Sequence, residues 1–382
     1  MTTLISQKGL LPAGLSDVLY PHAEIQAKTI ENLLDIFSSY GYLRIKPPLV
    51  EYEDSLLSDG PGSVLKDSTF RIMDPLSQKM MALRSDMTAQ ISRIASTRML
   101  HLPRPLRLSY SGDVLRVKGD SFNMERQKTQ VGAELIGVQS ETVDSEIILV
   151  CLQALNSINI SPITVDLNLP LLRDHLLINI PITLKEEVNE AIDRKDKNSL
   201  KKLRINDYEL IAKFMDAAGD YDHSFRILSV LKLDGILAEA RDYLLNVVKI
   251  IKENNSSVNI SIDPLENRGF KYHTGLSFTF FSQNYKGEIA KGGRYQTMSD
   301  ETATGCTIYT EKIYNTSHDL NDNKLVYIPY LNISVADRII KKGYNIVFGR
   351  NSNVDIDQEA TEMGCKYIWK NKTINKLAKT PH

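Results

Sequence analysis

Two alternating runs joined by a charged loop, LRLSYSGDVLRVKGDSFNMERQKTQVGAELIG from Leu106 to Gly137, constrain this chain more than any other stretch. Alternation of apolar and polar residues at period two reads as a strand, a long turn and a second strand. On that spacing Arg116 lies near the end of the first strand, while Gln130 and Glu134, four apart, share a face of the second. A cation, an amide and a carboxylate can then converge on one small ligand. A hairpin with a solvated outer face has the same pattern, since exposed charge is ordinary on antiparallel strands.

The 382 residues suffice for two or three domains and a large core. A net charge of -1 provides no overall basic field, which argues against tight, sequence-independent binding of a long polyanion. Cys151, Cys306 and Cys365 are far apart and form no CxxC, and the seven histidines have no metal-ligand spacing, so neither a disulfide framework nor a metal site is expected. Lone thiols suit a reducing cytoplasm. The opening MTTLISQKGLLPAGLSD has no basic segment followed by an apolar one, and no apolar run approaches the length of a membrane span, so a soluble, cytoplasmic protein is expected.

Ile25, Ile30, Leu33, Leu34 and Phe37 recur at helical spacing, and Gly41 suits a left-handed end, which predicts a helix over 20–40. YLRIKPPLVEYE, with two prolines, reads as an extended edge or interface strand. TFRIMD and MMALRSD form a hairpin, and a helix follows over 85–101. Ser85 or Asp86 suits its N-cap, and a ligand role for Asp86 stands beside that reading. A helix over 141–157 and the strand ITVDLNLP continue a sheet-and-helix grammar. From Pro170 to Asn255 the pattern is almost wholly helical, with a capping box at Thr183 and Glu186, as in an inserted helical domain. Its basic run Lys195 to Arg204 suits either a nucleic-acid contact or, more ordinarily, a solvated helix face. VNISIDPLE and the segment from Arg268 to Thr297 resume strands, and Gly292 with Gly293 either allow a close backbone approach or make a bulge. The expected division is 1–170 and 256–318 for the core, 171–255 for the helical insertion, and 319–382 for a small C-terminal α/β unit.

Four motifs carry a resemblance: LRSDMT at 83–88, the Arg116 to Glu134 hairpin, RGFKYHTG at 268–275 and GGRY at 292–295. In this order they resemble the catalytic core of histidyl-tRNA synthetases over roughly residues 10–315. The resemblance implies an α+β, class II aminoacyl-tRNA synthetase-like fold, with an antiparallel sheet flanked by helices and a helical insertion. It also implies a homodimer through the N-terminal helix and the strand around Pro48.

The departures are as informative. The glutamate that synthetases carry two residues beyond Arg116 is Lys118, and the third motif reads GCTIYTEKI, with Tyr309 and Thr310 in place of small residues and Lys312 in place of arginine. Lysine does not reproduce arginine's planar fork on phosphates, Tyr309 crowds an adenine site, and the C-terminal unit is short for an anticodon-binding domain. The pattern is similar to the family of regulatory subunits that serve ATP phosphoribosyltransferase in bacterial histidine biosynthesis. That likeness implies a non-catalytic chain in a hetero-oligomer with the short-form catalytic subunit, with histidine as feedback ligand, no cofactor and no tRNA. It assigns the histidine ammonium to Asp86, Thr88 and Gln130, the carboxylate to Arg116 with Arg268 as a second contact, and the imidazole N–H to Glu134, with Tyr272 and His273 closing the ring pocket. His273 stands where synthetases have tyrosine; ring binding, simple packing and altered specificity remain alternatives for it. A divergent histidyl-tRNA synthetase is the rival reading.

Overall fold

The hairpin that begins at Leu106 lies inside a nine-stranded sheet. The computed structural model describes residues 10–58, 60–119, 124–266, 272–313, 324–350 and 355–377. The chain divides into two units, Met1–Ser317 and His318–His382. The strands of the first, in chain order, are β1 (Leu43–Arg44), β2 (Val50–Tyr52), β3 (Arg71–Met73), β4 (Met80–Leu83), β5 (Leu106–Leu115), β6 (Gln127–Ile136), β7 (Ile163–Asn168), β8 (Gly219–Asp220), β9 (Asn259–Ile262), β10 (His273–Ser282), β11 (Ala290–Gln296) and β12 (Thr302–Tyr309). The large sheet runs β1-β5-β6-β12-β11-β10-β7-β9-β8, and β2-β4-β3 form a small second sheet.

Alternation along the strands separates two cores. On one face Val131, Ala133 and Leu135 of β6 and Cys306 and Ile308 of β12 pack with Leu33 and Phe37 of helix His22–Ser39 and with Ile147, Ile148 and Leu155 of helix Glu141–Ser157. Each fully buried Leu, Ile or Phe contributes about 1.5–3 kcal/mol, which fixes the register, because a one-residue slip would turn all of them outward. On the other face Leu108 and Tyr110 of β5 and Tyr295 of β11 pack with Met87 and Ile91, at the start of helix Thr88–Thr97. The candidate ligands project from β6 into this second face.

Several details differ from the sequence reading. The expected antiparallel sheet is mixed: β1 pairs parallel with β5, and β7 with β9. YLRIKPPLVEYE is broken into β1 at the edge of the large sheet and β2 in the small one, with Pro47 and Pro48, which have no N–H to donate, between them. Helix Thr88–Thr97 is shorter than 85–101. Helix Ile182–Asp193 has Pro181 at its N-cap, so Thr183 lies inside the first turn and the capping box does not form. Helix His22–Ser39 ends as anticipated, with Gly41 at φ +82°, a conformation that residues with a Cβ avoid.

Between β7 and β9 the described residues form helices Pro170–Leu176, Ile182–Asp193, Lys197–Lys202, Tyr208–Asp216, Tyr221–Leu228 and Gly235–Asn254. This block adds β8 to the large sheet, antiparallel to β9. Within the basic run, Lys195 pairs with Asp263 at 2.6 Å and Lys197 with Asp216 at 2.6 Å, so local carboxylates match part of its charge. In the second unit β13 (Leu325–Ile328), β14 (Asn345–Phe348), β15 (Tyr367–Lys370) and β16 (Thr373–Lys376) form a sheet of order β14-β13-β15-β16. Helix Ile333–Ile340 and Trp369 complete a core with Val326 and Ile328. The final antiparallel strand was absent from the sequence reading. Among the described residues no helix is long and apolar enough to cross a membrane.

Candidate functional site

The loop between β4 and helix Thr88–Thr97 is pinned by Arg84, whose Nε donates to the Asp113 carbonyl at 2.6 Å and whose Nη1 donates to that of Pro47 at 3.2 Å. So anchored, the loop holds Asp86 with its side chain fully buried. Asp86 Oδ1 accepts the Thr88 amide at 2.9 Å, which satisfies one orphan donor of the helix start, and Oδ2 accepts Gln130 Nε2 at 3.0 Å. Gln130 Oε1 in turn accepts the Met87 amide at 2.9 Å. Arg116 reaches the same loop from the end of the first hairpin strand, its Nε donating to the Ser85 carbonyl at 3.2 Å.

Two repeats of the pleat further along β6 from Gln130, Glu134 is 1% exposed. Its Oε1 accepts Thr88 Oγ1 and Tyr110 Oη, each at 3.2 Å, and its Oε2 accepts Tyr295 Oη at 2.9 Å. Tyr110 Oη also shares a 3.0 Å bond with Thr307 Oγ1. Burial pushes the Glu134 carboxyl up to about 8; the hydroxyls of Tyr295, Thr88 and Tyr110 oppose the shift and the charge of Asp86 adds to it. Burial, reinforced by Glu134, also raises both phenols well above their ordinary value, so they remain donors at neutral pH. Room for the carboxyl comes from Gly305 opposite: a Cβ there would lie 1.7 Å from Glu134 Oε2.

The Tyr272 ring stands edge-on to Tyr295 at 5.9 Å between centroids and to His273 at 5.1 Å. His273 lies over Gly293, where a Cβ would come within 2.6 Å of Nδ1. Burial, and then the charge of Lys291, push its imidazole down to about 3, so it is neutral at physiological pH. At Gly292 a Cβ would meet the Gly305 carbonyl at 2.1 Å and the Phe278 ring at 2.5 Å, so the glycine pair serves close approach; the irregularity in this strand pair lies in β10, between His273 and Ser277. Thr88, Glu134, Tyr272, His273 and Tyr295 surround a free space of about 10 Å³, room for about one water.

Asp86, Thr88, Gln130 and Glu134 thus meet on one face, with Arg116 on the adjoining loop and Tyr272 and His273 at the far wall. Arg268 and the side chain of Lys312 lie outside the described residues, and Lys118 is exposed. Sequence reasoning missed Tyr110, Tyr295, Thr307 and Gly305. Tyr110 had a signal, since it shares the inward period of β5 with Leu106 and Leu108, and Tyr295 follows Gly293 by two; Thr307 had none. Among the described residues no group of three or more His, Cys, Asp or Glu is placed to hold a metal ion. The arrangement offers buried acceptors for a cation at one end and, at the other, a carboxyl able to accept or donate one ring hydrogen bond.

Comparison with known proteins gives a consistent result. Residues 14–313 match the family model described as histidyl-tRNA synthetase. The ATP phosphoribosyltransferase regulatory subunit of Rhodospirillum centenum is 39% identical over 376 residues, covering 97% of this chain and 97% of that protein. Among solved structures, an ATP phosphoribosyltransferase regulatory subunit/histidyl-tRNA synthetase from Bacillus halodurans superposes with a TM-score of 0.80 at 20% identity, covering 92% of this chain and 96% of that one. The ATP phosphoribosyl transferase (HisG:HisZ) complex from Thermotoga maritima contains a chain with a TM-score of 0.60 at 18% identity, covering 76% of this chain and 98% of that one.

Proposed function

The chain belongs to the histidyl-tRNA synthetase-like family of ATP phosphoribosyltransferase regulatory subunits, and from that premise we propose that it binds histidine in the Asp86–Glu134 pocket and carries the feedback signal to a catalytic partner. Its role is that of a regulatory subunit of ATP phosphoribosyltransferase, in a hetero-oligomer with the catalytic subunit.

The observation that carries the reading is the buried chain Gln130–Asp86–Thr88–Glu134, whose members are hydrogen-bonded to one another and to the helix start. Burying an ammonium, a carboxylate and an imidazole costs several kcal/mol unless each is matched. Asp86, Thr88 and Gln130 take the ammonium, Arg116 takes the carboxylate, and Glu134 takes a ring nitrogen, with Tyr272 and His273 against the ring. Arg268 adds a second carboxylate contact. The chain performs no adenylation of its own. Lys118 in place of a glutamate and Lys312 in place of an arginine support that reading, because transition-state charge on phosphates and magnesium needs groups placed for it. A homodimer forms through helix His22–Ser39 and the strands after it, where Tyr40, Leu43, Leu49 and Tyr52 are all exposed.

Calorimetry with histidine and with phenylalanine, which has a ring but no ring N–H, tests the assignment. Histidine binds and phenylalanine does not; equal titrations, or none, overturn it. Pyrophosphate exchange with ATP that depends on histidine would instead favour a divergent synthetase.

A further inference from the structure

Beside Glu134 the sheet leaves a bare strip. Glu134 of β6 pairs with Gly305 of β12, and Gly305 pairs with Gly293 of β11, so two glycines stand side by side on the face that carries the pocket. Directly opposed residues of antiparallel strands lie about 4.5–5.5 Å apart with their side chains on one face, and glycine at both positions makes a floor that a flat group can approach closely. Glu134 covers one end of it, with Oε2 over Gly305. Its carboxyl takes three hydroxyl bonds, two on Oε1 and one on Oε2, which leaves one position on Oε2 for a ring nitrogen. A ring bonded there and lying on the floor would cover Gly293.

That place is filled. His273 is paired with Tyr295 in the ladder, yet its imidazole leans over Gly293, where a Cβ would meet Nδ1 at 2.6 Å and Cε1 at 2.7 Å. The register of β10 on β11 shifts between His273 and Ser277, an irregularity of the kind that re-aims a side chain beside a site. The free space left between Glu134, Tyr272 and His273 is about 10 Å³, enough for one water and too little for a second ring. We infer that His273 is a built-in occupant of the ring seat: its imidazole holds the place of the ligand's imidazole, and histidine enters by displacing it.

The inference rests on the histidine reading and adds a competitor to it; His273 stands against the ligand ring only after leaving the seat. A tethered group competes at an effective concentration of about millimolar or more, so a bare imidazole is shut out. Histidine can enter because Asp86, Gln130 and Arg116 lie outside the lining of the occupied seat and hold its other end. Its affinity is then the intrinsic value reduced by the fraction of time that the seat stands open, so His273 sets the concentration range in which the pocket responds.

His273→Ala in the full chain, titrated calorimetrically with imidazole and with histidine, tests this. The variant takes up imidazole, which the wild type does not, and it binds histidine at least about tenfold more tightly, as expected if the seat is open a tenth of the time or less. The two ligands compete for it. A side chain that served only as a wall of the pocket would give the opposite sign, because its removal loses a contact. A second measurement needs no variant: in the wild type saturated with histidine, the His273 ring, followed by NMR, titrates well above about 3 and toward the ordinary 6.5, because it has left its buried place. Equal or weaker histidine binding by the folded variant, or a ring titration that histidine does not move, overturns the inference. Imidazole uptake by the variant with no histidine binding by either chain overturns the feedback reading and leaves the occupied seat standing.

Discussion

Glu134→Gln should change how stability depends on pH more than it changes stability itself. The amide keeps the shape of the side chain and an acceptor for Thr88, Tyr110 or Tyr295, but it removes a titration. In the wild-type fold burial holds the carboxyl at about 8, against 4.5 for an ordinary glutamate. Between those values the folded chain keeps a proton that the unfolded chain has released. The resulting stabilisation is fully present below the unfolded value and is lost as pH rises through the folded one. Each pH unit inside the window is worth about 1.4 kcal/mol, so from pH ~6.5 to ~8 the wild type loses about 1.5–2 kcal/mol through this one group. His273 works in the opposite sense: held down to about 3 from an ordinary 6.5, its contribution is lost as pH falls through that lower range, is fully present above 6.5, and adds no pH dependence there. Urea unfolding of both chains at three pH values across the upper window measures the difference in slope directly. The glutamine variant should be flatter by about 1.5–2 kcal/mol over that range. Parallel curves would refute the argument that this carboxyl is held protonated by burial.

Arg116→Ala leaves a ligand carboxylate without its charge-assisted bonds and should weaken histidine by about ten- to a hundredfold in calorimetry; an unaltered affinity removes this arginine from the site. If the pocket regulates, the same variant also raises the histidine concentration that inhibits the assembled transferase, because coupling between sites is reciprocal in binding free energy. Gly305→Ala places a methyl group 1.7 Å from Glu134 Oε2 and should destabilise the fold by about 1–3 kcal/mol, read as a lower urea midpoint. The isolated chain should sediment as a dimer at roughly micromolar concentration, and Leu43→Glu, at a position 64% exposed in the single chain, should shift it toward monomer without lowering its urea midpoint. A monomeric wild type leaves the exposed residues near helix His22–Ser39 without that explanation.

The parts of the molecule legible in the sequence are those where neighbours in the chain carry the information. Period two revealed β5 and β6 and put Gln130 and Glu134 on one face; helical spacing revealed helices His22–Ser39 and Glu141–Ser157. The partners that make Glu134 tolerable in the interior were illegible for a physical reason: Tyr295 lies 161 residues from it along the chain, and Thr307 lies 197 from Tyr110. No local pattern encodes such a meeting. Gly305 was equally silent, because what it accommodates is a side chain on another strand. The parallel pairing of β1 with β5 escaped because two residues cannot display a period, and the two prolines signalled an edge without saying where the strand would break.

The strand order also sets a timetable for synthesis. β6 is bonded on one side to β5, its neighbour in the chain, and on the other to β12, and the cage around Glu134 needs residues 88, 110, 295 and 307 together. A ribosome that has delivered Glu134 still has roughly 170 residues to add before Thr307 exists, about 9–35 s at ordinary elongation rates. The helical block emerges in that interval, while one edge of β6 has no partner and the carboxyl that will be buried faces water. Nascent chains that stop inside the helical block therefore lack the enclosed pocket altogether, and the cage around Glu134 is completed late, when the returning strand closes the sheet.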